Sequence, residues 1–236
     1  MNAFQRRRRA LMMQAAAAPA PVVPSGYVSS GIIFFLDGLQ SVSATQWEDI
    51  IGGKVFALNN CSINADNNGV VFNGSTSYGV MDGAVSNNFE GETIEIALTK
   101  SADLINKTAF CQPYNNNAVG ISMRFGYEAA NRPRFAMGLD GVTRNFYYTT
   151  ITQNKNVISG NADRVIVNGT TLTQTHSTYY SKNTTGKTYV GAHATTGNLT
   201  GYFVGTIHAI RIYNRKLTQA EILQNQAADV LRYGLS

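Results

Sequence analysis

The sequence predicts an all-β protein. It reads as a two-sheet antiparallel sandwich of jelly-roll type, with a helix at its C-terminal end and a helical arm at its N-terminal end. Three observations carry this. Short apolar runs with period-two alternation recur between Tyr27 and Tyr213, most clearly from Thr93 to Leu98. There Ile94, Ile96 and Leu98 are expected on the core side, and Thr93 and Glu95 on the solvent side. Second, Asn73-Gly74, Asp82-Gly83, Asp140-Gly141 and Asn168-Gly169 are hairpin-type turn signals, in a chain with 22 glycines. Third, Gly205 to Leu223 reads as one strand turning directly into one helix.

Taken in order, residues 1–18 are rich in helix formers around Arg6, Arg7, Arg8 and Arg9 and predict a basic helical arm. Pro19, Pro21 and Pro24 stop that helix and make residues 19–24 a stiff linker. Residues 25–236 fit one large β-domain. Phe34 to Leu36 and Val165 to Val167 are continuous apolar runs, as strands buried between two sheets require. In the last strand, Ile210 and Ile212 are expected on one face and Ile207, Ala209 and Tyr213 on the other. Thr218 can cap the following helix, expected over 218–232, with Glu221 closing a capping box and Leu217 and Ile222 forming a hydrophobic staple.

Composition narrows the function classes. No run of about 18 apolar residues is present to cross a membrane as a helix. The net charge is +5, but without Arg6–Arg9 only 15 of the 19 basic residues remain, against 14 acids. The body is close to neutral, which argues against specific nucleic-acid binding by the domain. Cys61 and Cys111 match neither a disulfide framework nor a metal motif and read as reduced thiols.

Several segments then line up in order. Gly31 to Leu39 is followed by Trp47-Glu48-Asp49 and Gly52-Gly53, and Val70 to Tyr78 contains Phe72-Asn73-Gly74. Arg164 to Gly169 and Thr188 to Ala192 come next, and the Gly205–Leu223 strand and helix close the series. Together they resemble laminin-G-like domains of the concanavalin A-like lectin and glucanase superfamily. The resemblance implies a sandwich that displays a glycan- or protein-binding face, and a largely buried Trp47 in the opening turn.

Glycan-cutting members of that superfamily carry three acids at i, i+2 and i+4 or i+5 on one strand. Glu90, Glu92 and Glu95 do not match this, and read as solvated turn carboxylates. His176, His193 and His208 lie far apart with no nucleophile motif beside them, and His208 reads as a structural histidine with a satisfied ring. The expectation is a non-enzyme without a cofactor. The resemblance would allow calcium, but Asp66, Asp82, Asp140 and Asp163 are scattered and read as turn formers, so no metal is expected.

Sugar recognition asks for aromatic faces beside amides and hydroxyls. Tyr114, Asn115 and Asn116, in a loop over 112–117, meet this, as do Tyr179 and Tyr180, in a loop over 176–183. Packing of these tyrosines inside the domain is the competing reading.

For the arm, a secretory signal, a frayed basic tail, an unspecific nucleic-acid contact and an anchor helix all compete. The favoured reading is the anchor, with Phe4, Leu11, Met12 and Ala15 as its apolar stripe beside Arg6, Arg7, Arg8 and Arg9. A basic helix, a proline linker and one sandwich resemble the layout of small fibre or decoration proteins of bacteriophages. The expected function is a multi-copy structural and adhesion protein at the virion surface, its arm on a capsid or tail protein and its sandwich on a glycan or partner protein. A secreted bacterial carbohydrate-binding or adhesion domain is the alternative, and a degenerate glycoside hydrolase the next.

Overall fold

The computed structural model describes residues 22–86, 91–112, 121–126, 130–139, 142–148, 150–161, 163–180, 186–195 and 198–236. The strands begin with β1 (Ile32–Asp37), β2 (Gln46–Glu48), β3 (Val55–Asn59), β4 (Ser62–Ile63), β5 (Val70–Asn73), β6 (Tyr78–Asp82) and β7 (Thr93–Lys100). Next come β8 (Lys107–Gln112), β9 (Ile121–Phe125), β10 (Pro133–Leu139), β11 (Val142–Tyr148), β12 (Lys155–Gly160) and β13 (Val165–Val167). The series ends with β14 (Thr170–Thr171), β15 (Gln174–Tyr180), β16 (Lys187–Val190), β17 (His193–Thr195), β18 (Asn198–Thr200) and β19 (Val204–Tyr213), followed by helix α1 (Gln219–Tyr233). The expected arm, with Phe4, Arg6, Arg7, Arg8, Arg9, Leu11, Met12 and Ala15, lies outside the described residues.

An eight-stranded sheet runs β14-β13-β12-β7-β19-β5-β4, with β1 also on β19. A nine-stranded sheet runs β15-β11-β10-β9-β8-β16-β6-β3-β2, and β17-β18 form a separate ribbon. The neighbouring strands pair antiparallel, as the turn signals and alternating pattern require. Asn168 and Gly169, at φ 48° and 81°, join β13 to β14 as a type I′ pair needs. Leu139 pairs with Val142, and Asp140-Gly141 lie outside the described residues. Asn73-Gly74 and Asp82-Gly83 differ from expectation: each ends a strand, β5 or β6, and leads the chain from one sheet to the other rather than into a hairpin.

Between the sheets lies one continuous core, in which Phe34, Phe56, Phe72, Ile96 and Phe110 are fully or almost fully buried. Trp47 is fully buried there too, and its Nε1 donates to the Asp37 carbonyl at 3.0 Å. Two residues on, Asp49 accepts from the amides of Phe35, Ile51 and Gly52 at 2.8, 3.0 and 2.9 Å, which ties the turn to β1. Burial raises its carboxyl above the usual range, and these amides pull it back.

Ile94, Ile96 and Leu98 take the core side as expected. Thr93 and Glu95 do not face solvent: both are fully buried, because α1 covers the other side of the sheet. In β19, Ile207 opposes Leu98 while Ala209 opposes Ala97, so a bulge at His208 shifts the alternation. Ile207 therefore joins Ile210 and Ile212 in the core, contrary to the expected pattern, and Ala209 and Tyr213 face the helix. The His208 ring stacks on Tyr233, with Nε2 3.0 Å from Thr99 Oγ1 and Nδ1 2.9 Å from the Asn68 carbonyl.

Helix α1 starts one residue later than expected. Thr218 caps it, the capping box with Glu221 is complete, and Gly234 ends it in the left-handed conformation at φ 65°. Leu217 and Ile222 pack in one cluster with Val28 and Tyr213. The chain approaching β1 is strapped to α1: the Val28 amide donates to Asn225 Oδ1 at 2.8 Å and the Tyr27 hydroxyl to Asp229 at 2.9 Å. Val23 packs on the same cluster as Tyr27, Phe35 and Tyr233, so the folded unit takes in the end of the linker.

Candidate functional site

The two outer faces of the sandwich differ. On the eight-stranded side, α1 is locked down by Arg211, whose Nε donates to Glu95 at 3.0 Å and whose Nη1 and Nη2 donate to Asp229 at 2.6 and 2.5 Å. All three side chains are fully buried. Burial works against the Arg211 charge, but Asp229 and Glu95 more than offset it and hold the guanidinium above its ordinary range. Asn225 and Ser159 complete the Glu95 carboxylate. Helix α1 covers the sheet at this cluster.

On the nine-stranded side, no described helix covers the sheet. Phe56, Met81, Val190, Phe110 and Met123 point into the core, so their strand neighbours Ala57, Val80, Tyr189, Cys111 and Ser122 take the outer face. The pairing lines these up from strand to strand in one row. The β17–β18 ribbon rests against β8, placing His193 Nδ1 3.3 Å from Cys111 Sγ. Both cysteines are free thiols, and burial pushes Cys61 up to about 11. At the end of the face, Asp82 on β6 pairs with Lys187 on β16 at 3.2 Å.

That same end gathers the strand ends beside the segments that the sequence singled out. Gln112 opposes Ile121, Ile121 opposes Met137, Met137 opposes Arg144, and Arg144 opposes Tyr179. Four strand spacings therefore separate the last residue of β8 from Tyr179, roughly 19 Å along one line. Tyr114, Asn115 and Asn116 lie outside the described residues, but the ends of β8 and β9 that flank them sit on this rim. Tyr179 and Tyr180 do not belong to a loop as expected: they end the edge strand β15, because its register against β11 continues through both. The facing ends of β8 and β9 thus share one rim with Tyr179 and Tyr180, which sequence spacing could not show.

Residues 83–86 enter the same rim. The Val85 and Ser86 amides donate to Gln112 Oε1 at 2.8 and 3.2 Å, and Gln112 Nε2 donates to the Ser86 carbonyl at 2.5 Å. The Ser86 hydroxyl donates to Glu92. Glu92 and Glu95 were expected to be solvated, yet Glu92 is 3% and Glu95 0% exposed. Burial pushes the Glu92 carboxyl up to about 7, with the Ser86 bond pulling the other way. Glu90 lies outside the described residues.

Among the described residues, no three His, Cys, Asp or Glu side chains are grouped to hold a metal ion. Asp82 and Asp163 are engaged with Lys187 and Lys216, and Asp140 lies outside the described residues. No described helix is long and apolar enough to cross a membrane.

On the nine-stranded side Ala57 is exposed and Val80 half-buried, whereas Tyr189, Cys111 and Ser122 are buried. A sandwich of two antiparallel sheets with a capped C-terminal helix laid on one of them is the architecture of lectin-like domains. A laminin-G family described as the concanavalin A-like lectin/glucanases superfamily matches residues 73–223, well over half of the chain, and the chain belongs to that superfamily. No sequence match is found among curated proteins. Among solved structures, the chain is similar to a Trypanosoma rangeli sialidase in complex with sialic acid. The TM-score is 0.59 at 18% identity, over 97% of this chain and 39% of that one. It spans, then, about two-fifths of the sialidase. It is also similar to domain 4 of a GH43 extracellular arabinanase from Geobacillus stearothermophilus in complex with arabinotriose, with TM-score 0.57 and 14% identity over 85% of this chain and 100% of that domain. At these identities the likeness concerns the fold.

Proposed function

We propose that this protein is a non-catalytic carbohydrate-binding module that recognises surface glycans at the rim of its nine-stranded sheet. The observation that carries this reading is that the strand ends flanking the β8–β9, β6–β7 and β15–β16 connections meet at one end of the nine-stranded sheet. Tyr114, Asn115, Asn116 and Tyr180 supply the stacking and amide chemistry that sugars require. The likeness in fold to an arabinanase domain solved with arabinotriose supports the substrate class. Glu95 is spent on Arg211 and lies under α1, away from this rim, which fits binding rather than hydrolysis.

Residues 1–18 serve in this reading as an anchor to a capsid or tail protein, which would hold many copies at a virion surface. The strap from Val23 to Val28 supports this arrangement, because it fastens the end of the linker to the helix-covered side of the sandwich.

A glycan array probed with the full chain is the test. Binding of at least one oligosaccharide is expected, weakened at least tenfold by Tyr114→Ala and with an unchanged melting temperature. An array with no binder ends the reading. Removing residues 1–21 is expected to leave melting within about 2 °C, since the deletion stops short of Val23, and to abolish co-purification with the assembly. Retained co-purification would place the anchor on the sandwich.

A further inference from the structure

Glu92 occupies an unusual place at the rim. Its side chain is 3% exposed, one carboxyl oxygen meets the Ser86 hydroxyl, and Oε2 has no hydrogen-bond partner. No charged side chain among the described residues compensates it. Lys54 is engaged with the carbonyls of Ala84 and Val85, at 2.8 and 3.3 Å. Asp82 and Lys187 pair with each other, and Arg215, whose carbonyl accepts from Thr93 Oγ1, pairs with Glu221. A bare carboxylate oxygen in a dry site is costly, whereas a neutral carboxyl is far cheaper to bury.

The consequences reach two segments through a few bonds. Ser86 links Glu92 to Gln112 by both its amide and its carbonyl, and Gln112 is the last residue before segment 113–120. Residues 83–86 are held at the other side by the Gly83 amide on the Gly186 carbonyl, at 2.7 Å. One buried carboxyl therefore sits where the chain crosses from the nine-stranded to the eight-stranded sheet.

We propose that Glu92 is a pH-sensitive latch on this rim: protonated, it keeps Ser86 in the Gln112 clamp, and ionised, it turns toward water and loosens the clamp. The sign follows from burial. The carboxyl binds its proton more tightly in the folded chain than in the unfolded one, so the latch is fully closed below the ordinary range of glutamate. Its contribution is lost as pH rises through about 7.

The test is an NMR titration of the full chain from about pH 5 to 8.5, following the Val85 and Ser86 amides and the Gln112 side-chain amide. The three are expected to shift together with one midpoint in the neutral range, and Glu92→Gln is expected to hold them near their low-pH positions. A flat wild-type profile, or the same titration in Glu92→Gln, overturns the proposal. If Glu92→Gln does not fold, the carboxyl carbon of Glu92 in the wild-type chain decides: a midpoint below about 5 overturns the latch, and one near neutrality sustains it. No glycan enters these measurements, so their failure is separate from failure of the binding reading.

Discussion

Arg211→Met is expected to destabilise the protein by about 3–5 kcal/mol, the range for removing one partner of a buried ion pair. The guanidinium is fully buried, satisfies Glu95 and Asp229 together, and lies 4.5 Å from the centre of the Tyr27 ring. Without it, two carboxylates remain in a sealed layer between sheet and helix. Burial already raises the Glu95 carboxyl, and losing the Arg211 charge that opposes this would raise it further above its unfolded value. A raised folded value gives stability that is present at low pH and lost as pH rises. The variant is therefore expected to lose more relative to wild type at pH 8 than at pH 5, measured by urea unfolding. A loss below about 1 kcal/mol, or one independent of pH, would show that α1 does not depend on this arginine.

Trp47→Ala should cost about 3–5 kcal/mol. The indole is fully buried in the core, and its Nε1 holds the carbonyl of Asp37 at 3.0 Å. The Asp37 carboxylate accepts from the Tyr233 hydroxyl at 2.9 Å and from Arg232 at 2.5 Å, so the opening turn reaches α1 through one residue. Trp47→Phe keeps most of the ring volume and drops the hydrogen bond, and is expected to cost less than the alanine change. Thermal or urea unfolding separates the two. A cost below about 1 kcal/mol for alanine would mean that the turn is not anchored through the indole.

The candidate site was legible only in fragments. The aromatic and amide residues at 114–116 and 179–180 stand out by composition, but that the end of β8 and Tyr179 share one rim depends on β8 and β15 lying four strand spacings apart in one register line. Gln112 and Glu92 carried no signal as partners of Ser86, because an interior carboxyl and a solvated one look alike in a polar stretch. The Cys111–His193 contact spans 82 positions and no spacing rule reaches it.

What the sequence determined by itself was local. The α1 start follows from Thr218 and Glu221, three residues apart, and the Asn168-Gly169 turn from the positive φ that both residues tolerate. Strand alternation needs only the period of two, and it placed Ile94, Ile96 and Leu98 correctly. Tertiary structure decided whatever rests on a partner far along the chain. Whether Glu95 meets water or Arg211, 116 positions away, depends on α1 folding back over the sheet. The inward turn of Ile207 depends on a bulge that only the neighbouring strand β7 defines. Local backbone geometry is written in consecutive residues, whereas burial and register are properties of pairs that the chain brings together only when it folds.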